Sequence, residues 1–253
     1  MRVLLLFCLC FAIECSAAVI VATTEANCNG QISTTSCEVR GPEIDGETSF
    51  FSIAEAGYHF EVSDDGLSFS ATAGAGGRVG VMTNYESRVF SRASSVVQFF
   101  LLGDGQARPG FITFSGGGGG DGSNSSASGG FKLFSVDHSC GGPSELCNTS
   151  GKLQVQIGIP FILTVEAFGG GNYNPDNGGN GNGSGGTGSV TISLFEADGV
   201  TPARVQLREA PSAVPDPATI MTAFLGLATM AFQLRASRHL LRIRCKRMPG
   251  SIL

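Results

Sequence analysis

The chain predicts an all-β fold, an antiparallel β-sandwich with a jelly-roll-like strand order preferred over an immunoglobulin-like one. Three observations carry this reading. Short runs rich in β-branched and aromatic residues recur along the chain, Gly and Asp turn signals separate them, and no ten-residue helical pattern occurs before Ala218. The chain has no Trp, which removes the usual core anchor of antibody-type domains. The stretch from residue 19 to 210, about 190 residues, is long enough to bury one core of its own.

Met1-Arg2 and the apolar run Val3–Ile13, followed by the small residues Ser16-Ala17-Ala18, form a charged n-region, an h-region and a cleavage site. Residues 1–18 therefore read as a secretory signal peptide. The first clear hairpin pairs Tyr58–Val62 with Leu67–Ala71 around Ser63-Asp64-Asp65-Gly66, a turn built on Asp-Gly. Val96–Leu102 reads as a buried strand, Gly103-Asp104-Gly105 as its turn and Gly110–Phe114 as the returning strand. Further strands are expected at Phe131–Val136, Leu153–Ile157, Phe161–Ala167, Ser189–Phe195 and Arg204–Leu207. Two tracts, Ser115–Gly130 and Gly169–Gly188, consist largely of Gly, Asn and Ser, and predict Gly/Asn-rich loops at one end of the sandwich or places where partners dock.

Export changes how cysteines and charges are read. Cys8, Cys10 and Cys15 leave with the signal and Cys245 lies in the C-terminal tail, so Cys28, Cys37, Cys140 and Cys147 remain outside. Four cysteines in an oxidising compartment allow three pairings, and the spacing favours two local loops, Cys28–Cys37 and Cys140–Cys147. Neither CxxC nor HxxxH accompanies them, so no metal ligands are assigned. The body between residues 19 and 234 carries nine Lys/Arg against twenty Asp/Glu, near −11, where the whole chain is −5. Such a surface disfavours nucleic acid, and anionic polysaccharide held by simple charge attraction, as partners.

The last forty residues read as an address. Val214-Pro215-Asp216-Pro217 is followed by the uncharged apolar run Ala218–Leu234 and then by Arg235, Arg238, Arg242, Arg244, Lys246 and Arg247. Seventeen residues rise about 25 Å as a helix, a short membrane span that snorkelling Arg side chains extend. The basic cluster places the tail (residues 235–253) in the cytoplasm and everything before residue 218 outside. Each proline pushes its predecessor into extended geometry, so residues 211–217 form an exposed linker suited to a peptidase or transpeptidase.

This ordered combination, with Leu225-Gly226-Leu227 inside the span, resembles the PEP-CTERM sorting signal of Gram-negative bacteria. The motif acid is Asp216 where that family usually has Glu. The resemblance covers about residues 213–247 and implies an exosortase, a membrane-embedded transpeptidase-like enzyme, as processing partner. It also implies export through the inner membrane, anchoring by the C-terminal helix, and an eventual place at the cell surface or outside it. Members of that group tend to occur in bacteria that export polysaccharide and form biofilms, which makes exopolysaccharide a candidate partner.

Catalytic chemistry has little to build with. Asp137-His138-Ser139 holds the residue types of a triad, but triads assemble in space from distant positions. No GxSxG elbow is present, and the Gly tracts precede no helix with Lys-Ser/Thr, which excludes a P-loop. Asp64, Asp65, Asp104 and Asp121 could donate to a calcium ion, yet each is also what a β-turn asks for. Tyr173, in a Gly/Asn tract, is the aromatic expected to be exposed. The reading is thus a non-catalytic exported surface or matrix protein with no cofactor. A carbohydrate-binding module is the alternative and a secreted hydrolase the third.

Overall fold

The computed structural model describes residues 20–208, except 45, 83–84, 123–126, 143–144 and 178–180. The expected signal peptide (1–18), sorting linker (211–217), membrane helix (218–234) and basic tail (235–253) lie outside the described residues.

Two antiparallel sheets face each other. Sheet A runs from edge to edge through β11 (Val136–Gly141), β10 (Ser128–Leu133), β13 (Phe161–Tyr173), β8 (Val89–Gly103), β1 (Ile20–Cys28) and β2 (Gln31–Ser33), with β16 (Val205–Leu207) also on β8. Sheet B runs through β12 (Glu145–Ile157), β9 (Arg108–Gly122), β14 (Gly183–Glu196), β7 (Ser68–Val81), β6 (Phe50–Val62) and β3 (Ser36–Arg40), with β15 (Pro202–Ala203) on β14. A small hairpin, β4 (Glu43–Ile44) with β5 (Glu47–Thr48), stands apart.

The expected antiparallel sandwich forms. From β8 to β14 successive strands alternate between the sheets except at the β10–β11 hairpin, and among the described residues no three successive strands share a sheet. Gly103-Asp104-Gly105 is accordingly an arch between sheets and not a hairpin turn. Phe131–Val136, expected as one strand, is broken by a turn at Phe134, whose φ is 54°. The β6–β7 hairpin sits where Ser63–Gly66 predicted it, with Gly66 at φ 70°.

Alternation builds the core. Phe69, Phe99, Leu101, Ile112, Leu163 and Ile192 all point between the sheets and are fully buried. Each such side chain contributes roughly 1.5–3 kcal/mol relative to exposure. The Phe69 and Phe99 rings meet edge to face, centroids 5.1 Å apart, across the two sheets.

The Gly-rich tracts are strand over most of their described length: they supply the second halves of β9 and β13, the first half of β14 and the start of β10, with residues 174–177 and 181–182 outside strands. Along β13 the inward positions read Phe161, Leu163, Val165, Ala167, Gly169, and along β14 they read Leu194, Ile192, Val190, Gly188, Gly186. Side chains shrink along these runs, so the sheets converge until backbone meets backbone, and beyond the glycines a second small cluster of Phe50, Val79, Val89 and Tyr173 closes that end. A Cβ on Gly118 of sheet B would collide with the Gly129 carbonyl of sheet A, and one on Gly129 with the Thr187 carbonyl of sheet B. One on Gly77 would lie 2.8 Å from the Cα of Gly170. Sheets with ordinary side chains stay about 10 Å apart, and only glycine on both faces allows closer approach.

Buried serines satisfy the backbone where the sheets converge. Ser95 Oγ donates to Gly57 O at 2.8 Å and Ser184 Oγ to Gly170 O at 2.6 Å, each from one sheet to the other. Ser52 Oγ donates to Phe90 O at 2.5 Å, again across the sandwich. A short polar side chain here bonds main-chain groups that the narrow gap would otherwise strip of water.

Both ends of the body share one lane. Beside β8, β1 begins at Ile20 opposite Phe99, and β16 ends at Leu207 opposite Leu101. Arg208 N then donates to Phe100 O at 2.8 Å. The chain therefore enters and leaves the sandwich at the same place.

Candidate functional site

Cysteines close the sandwich at both open sides. Cys28 of β1, in sheet A, is disulfide-bonded to Cys37 of β3, in sheet B, with Cα atoms 5.9 Å apart. On the opposite side Cys140 of β11 and Cys147 of β12 are also on different sheets, and their sulfurs are brought together with Cα atoms 6.2 Å apart. That separation is inside disulfide reach. Both expected local pairs therefore lie where they cross between layers, a role that spacing alone did not reveal.

His138 belongs to the second group. Two residues before Cys140 on β11, it shares that residue's inward face, and its Nε2 lies 3.9 Å from Cys140 Sγ. The ligand atoms of His138, Cys140 and Cys147 all lie within 4.8 Å of one another, the only such His/Cys/Asp/Glu group among the described residues. Strand alternation sends Asp137 and Ser139 to the opposite face, so Asp137-His138-Ser139 does not assemble as a triad.

The calcium candidates do not gather. Asp65 caps its turn, accepting from Ser63 Oγ at 2.6 Å and Leu67 N at 3.0 Å, and these bonds hold its carboxyl below the usual range. Asp104 supports Arg108 at 3.4 Å, and Asp121 accepts from Gly185 N at 2.9 Å. Arg108 in turn grips Glu196 with two donors, Nε to Oε2 at 2.9 Å and Nη2 to Oε1 at 2.5 Å. The guanidinium holds the Glu196 carboxyl below its ordinary value and ties the β8–β9 arch to the end of β14.

Tyr173 corrects another expectation. It is buried at the end of β13, packs with Phe50, Val79 and Val89, and donates its hydroxyl to Tyr85 O at 2.6 Å. The exposed tyrosine is Tyr58, at 43%. It borders a trough of about 830 Å³ on sheet B, lined among others by Glu55, His59, Thr72 and Arg78. Gly57 and Gly74 contribute to its floor, and the space where their Cβ atoms would stand is open.

The sorting motif, Val214 to Pro217, and the basic cluster, Arg235 to Arg247, lie outside the described residues. No family model matches the chain. No curated protein matches it either.

Proposed function

We propose that this chain is an exported, non-catalytic protein of the cell surface or extracellular matrix, delivered by its signal peptide and sorted through its PEP-CTERM-like C-terminus. The observation that carries the reading is the ordered tripartite end: Val214-Pro215-Asp216-Pro217, the apolar run Ala218–Leu234, and the Arg/Lys cluster. The fold supports it in one respect. Among the described residues the last strand closes at Leu207, before the motif starts at Val214, so the described sandwich does not use the motif. An exosortase is the processing partner and the membrane the first anchorage.

Intact mass of the mature protein, from its own host and from a strain lacking exosortase, tests this. The expected result is a body ending near Pro217 only when the enzyme is present. A chain retaining Arg242–Leu253 in both strains would reduce the tail to a permanent anchor and sink the sorting reading.

Carbohydrate binding is the second reading, favoured by the Tyr58-bordered trough with its polar Glu55, His59, Thr72 and Arg78. Hydroxyl recognition needs such donors and acceptors beside an aromatic face. Tyr58→Ala should then weaken retention on a polysaccharide column, while a Tyr173 variant should act only through stability.

A further inference from the structure

The geometry points to a metal site that none of the readings above assigns: His138, Cys140 and Cys147 bind a closed-shell, borderline-soft cation of the Zn²⁺ class when the two cysteines are reduced. Three features support it.

The first is spacing. Zinc at about 2.3 Å from sulfur and 2.0–2.1 Å from imidazole nitrogen in a tetrahedron sets neighbouring ligand atoms roughly 3.5–3.8 Å apart. His138 Nε2 and Cys140 Sγ are already 3.9 Å apart and all three donor atoms fall within 4.8 Å; on reduction the two paired sulfurs have only to part to the ligand spacing. The second is how the ligands are supplied. His138 and Cys140 come from one face of β11, and Cys147 from β12 on the other sheet. A bound cation would therefore join the same two layers that the sulfur pair joins.

The third is contrast. Cys28 and Cys37 make an equivalent crossing at the other side, yet among the described residues no imidazole or carboxylate converges on them. A pair needed only as a covalent staple has no use for a histidine aimed at its sulfur. Among the described residues Cys140 Sγ is also the one polar atom within hydrogen-bonding reach of the His138 ring. One nitrogen and two sulfurs suit Zn²⁺ rather than Ca²⁺ or Mg²⁺, which ask for oxygen. Three protein ligands leave a fourth, exchangeable position.

The chemistry balances in two steps. A thiol reductant supplies two electrons and two protons to the Cys140–Cys147 sulfur pair and leaves as its own disulfide. The cation then displaces the two thiol protons, while neutral His138 donates its lone pair.

The test uses the full chain, reduced with a phosphine under exclusion of oxygen, and titrated with Co²⁺ and then Zn²⁺. The expected result is one equivalent of Co²⁺ with a thiolate-to-cobalt charge-transfer band that Zn²⁺ abolishes. Zn²⁺ should also protect Cys140 and Cys147 from alkylation and leave Cys28 and Cys37 reactive, as mapped by mass spectrometry. His138→Ala should weaken binding by at least the roughly 10–100-fold that even an outer-shell partner costs, and Cys140→Ser should remove the protection at Cys147. The double change Cys28→Ser/Cys37→Ser should alter neither readout. Absence of the band, protection confined to other cysteines, or unchanged affinity in His138→Ala overturns the assignment. The alkylation map of the unaltered chain decides on its own if the His138 variant does not fold.

Discussion

Gly118→Ala is the most direct probe of the converging sheets. Its added methyl meets the Gly129 carbonyl and Gly130 nitrogen of the opposite sheet, which are backbone atoms fixed in the β10 ladder. No rotamer change relieves such a contact, so the two layers must separate locally. Overpacking of this kind typically costs about 1–3 kcal/mol, and a rigid neighbour puts the expected loss in the upper half of that range. For a body of this size, roughly 2–4 °C of Tm accompanies each kcal/mol, so the midpoint should fall by about 4–12 °C. Gly129→Ala, meeting the Thr187 carbonyl from the other side, should behave alike. Gly74→Ala supplies the control: its Cβ enters open space and no positive φ stands in the way. It should be neutral or raise stability by about 0.4–1 kcal/mol through the unfolded chain's lost freedom. Calorimetry and urea unfolding of the three variants read the difference directly. If Gly118→Ala and Gly129→Ala unfold with the wild-type midpoint, the tracts are not packed strands and the tapering sandwich is wrong.

Two other outcomes follow from particular contacts. Cys28→Ser/Cys37→Ser opens a nine-residue separation, and the loop-entropy relation puts the loss at about 2.5–3 kcal/mol. A thermal shift under ~2 °C would show that this crossing does not hold the β1–β3 side. Arg108 depresses the Glu196 carboxyl, so between the folded and unfolded pKa values the unfolded chain holds the proton more readily. The resulting stability is present above the ordinary carboxylate value and is lost as pH falls through the lower folded one. Urea midpoints measured from neutral to acid pH should show this fall, and Arg108→Gln should flatten it; an unchanged slope in the variant would contradict the ion pair's role. Asp65 and Asp198 are depressed in the same direction and leave a residual slope in both proteins.

What could be read in the sequence was what local chemistry decides. Ser63-Asp64-Asp65-Gly66 specifies its turn within four residues, and the apolar halves of β8, β13 and β14 announce themselves as runs of β-branched and aromatic residues. Asn29-Gly30, with φ of 47° and 97°, is a hairpin signal of the same kind and joins β1 to β2. The Gly tracts predict loops because a strand floored with glycine has the composition of a linker. A subtler signal was present: the inward parity of Leu194, Ile192 and Val190 continues through Gly188 and Gly186, with Thr187, Ser189 and Thr191 outward. Diminishing size at constant period marks a taper, whereas a linker has no period. Tyr173 ends such a strand, which is why it is buried. Cys140 and Cys147 could be paired from their spacing, but their placement on two sheets depends on pairings of β11 with β10 and β12 with β9 that no local pattern encodes. His138 was weighed with its chain neighbours, although a strand sends neighbours to opposite faces.

The common lane of β1 and β16 bears on how such a body can be held. If the C-terminal segment is the anchor, load enters at Arg208 and reaches β16 first, a strand of three residues paired only with Leu101–Gly103 of β8. β16 can peel while β8 keeps β13 on its other side from Val89 to Leu101. The next element, β15, pairs with two residues of β14, and β14 itself is clamped between β9 and β7 over most of its fourteen residues. Peeling therefore meets a sharp rise in resistance after the first few residues. The Cys28–Cys37 bond lies at the far end of β1, at the last pair of the ladder that Ile20 begins, so tension at the N-terminal side is also stopped before the sheets part. Short, expendable strands at the tether and covalent crossings away from it place the weak points where their loss costs the core least.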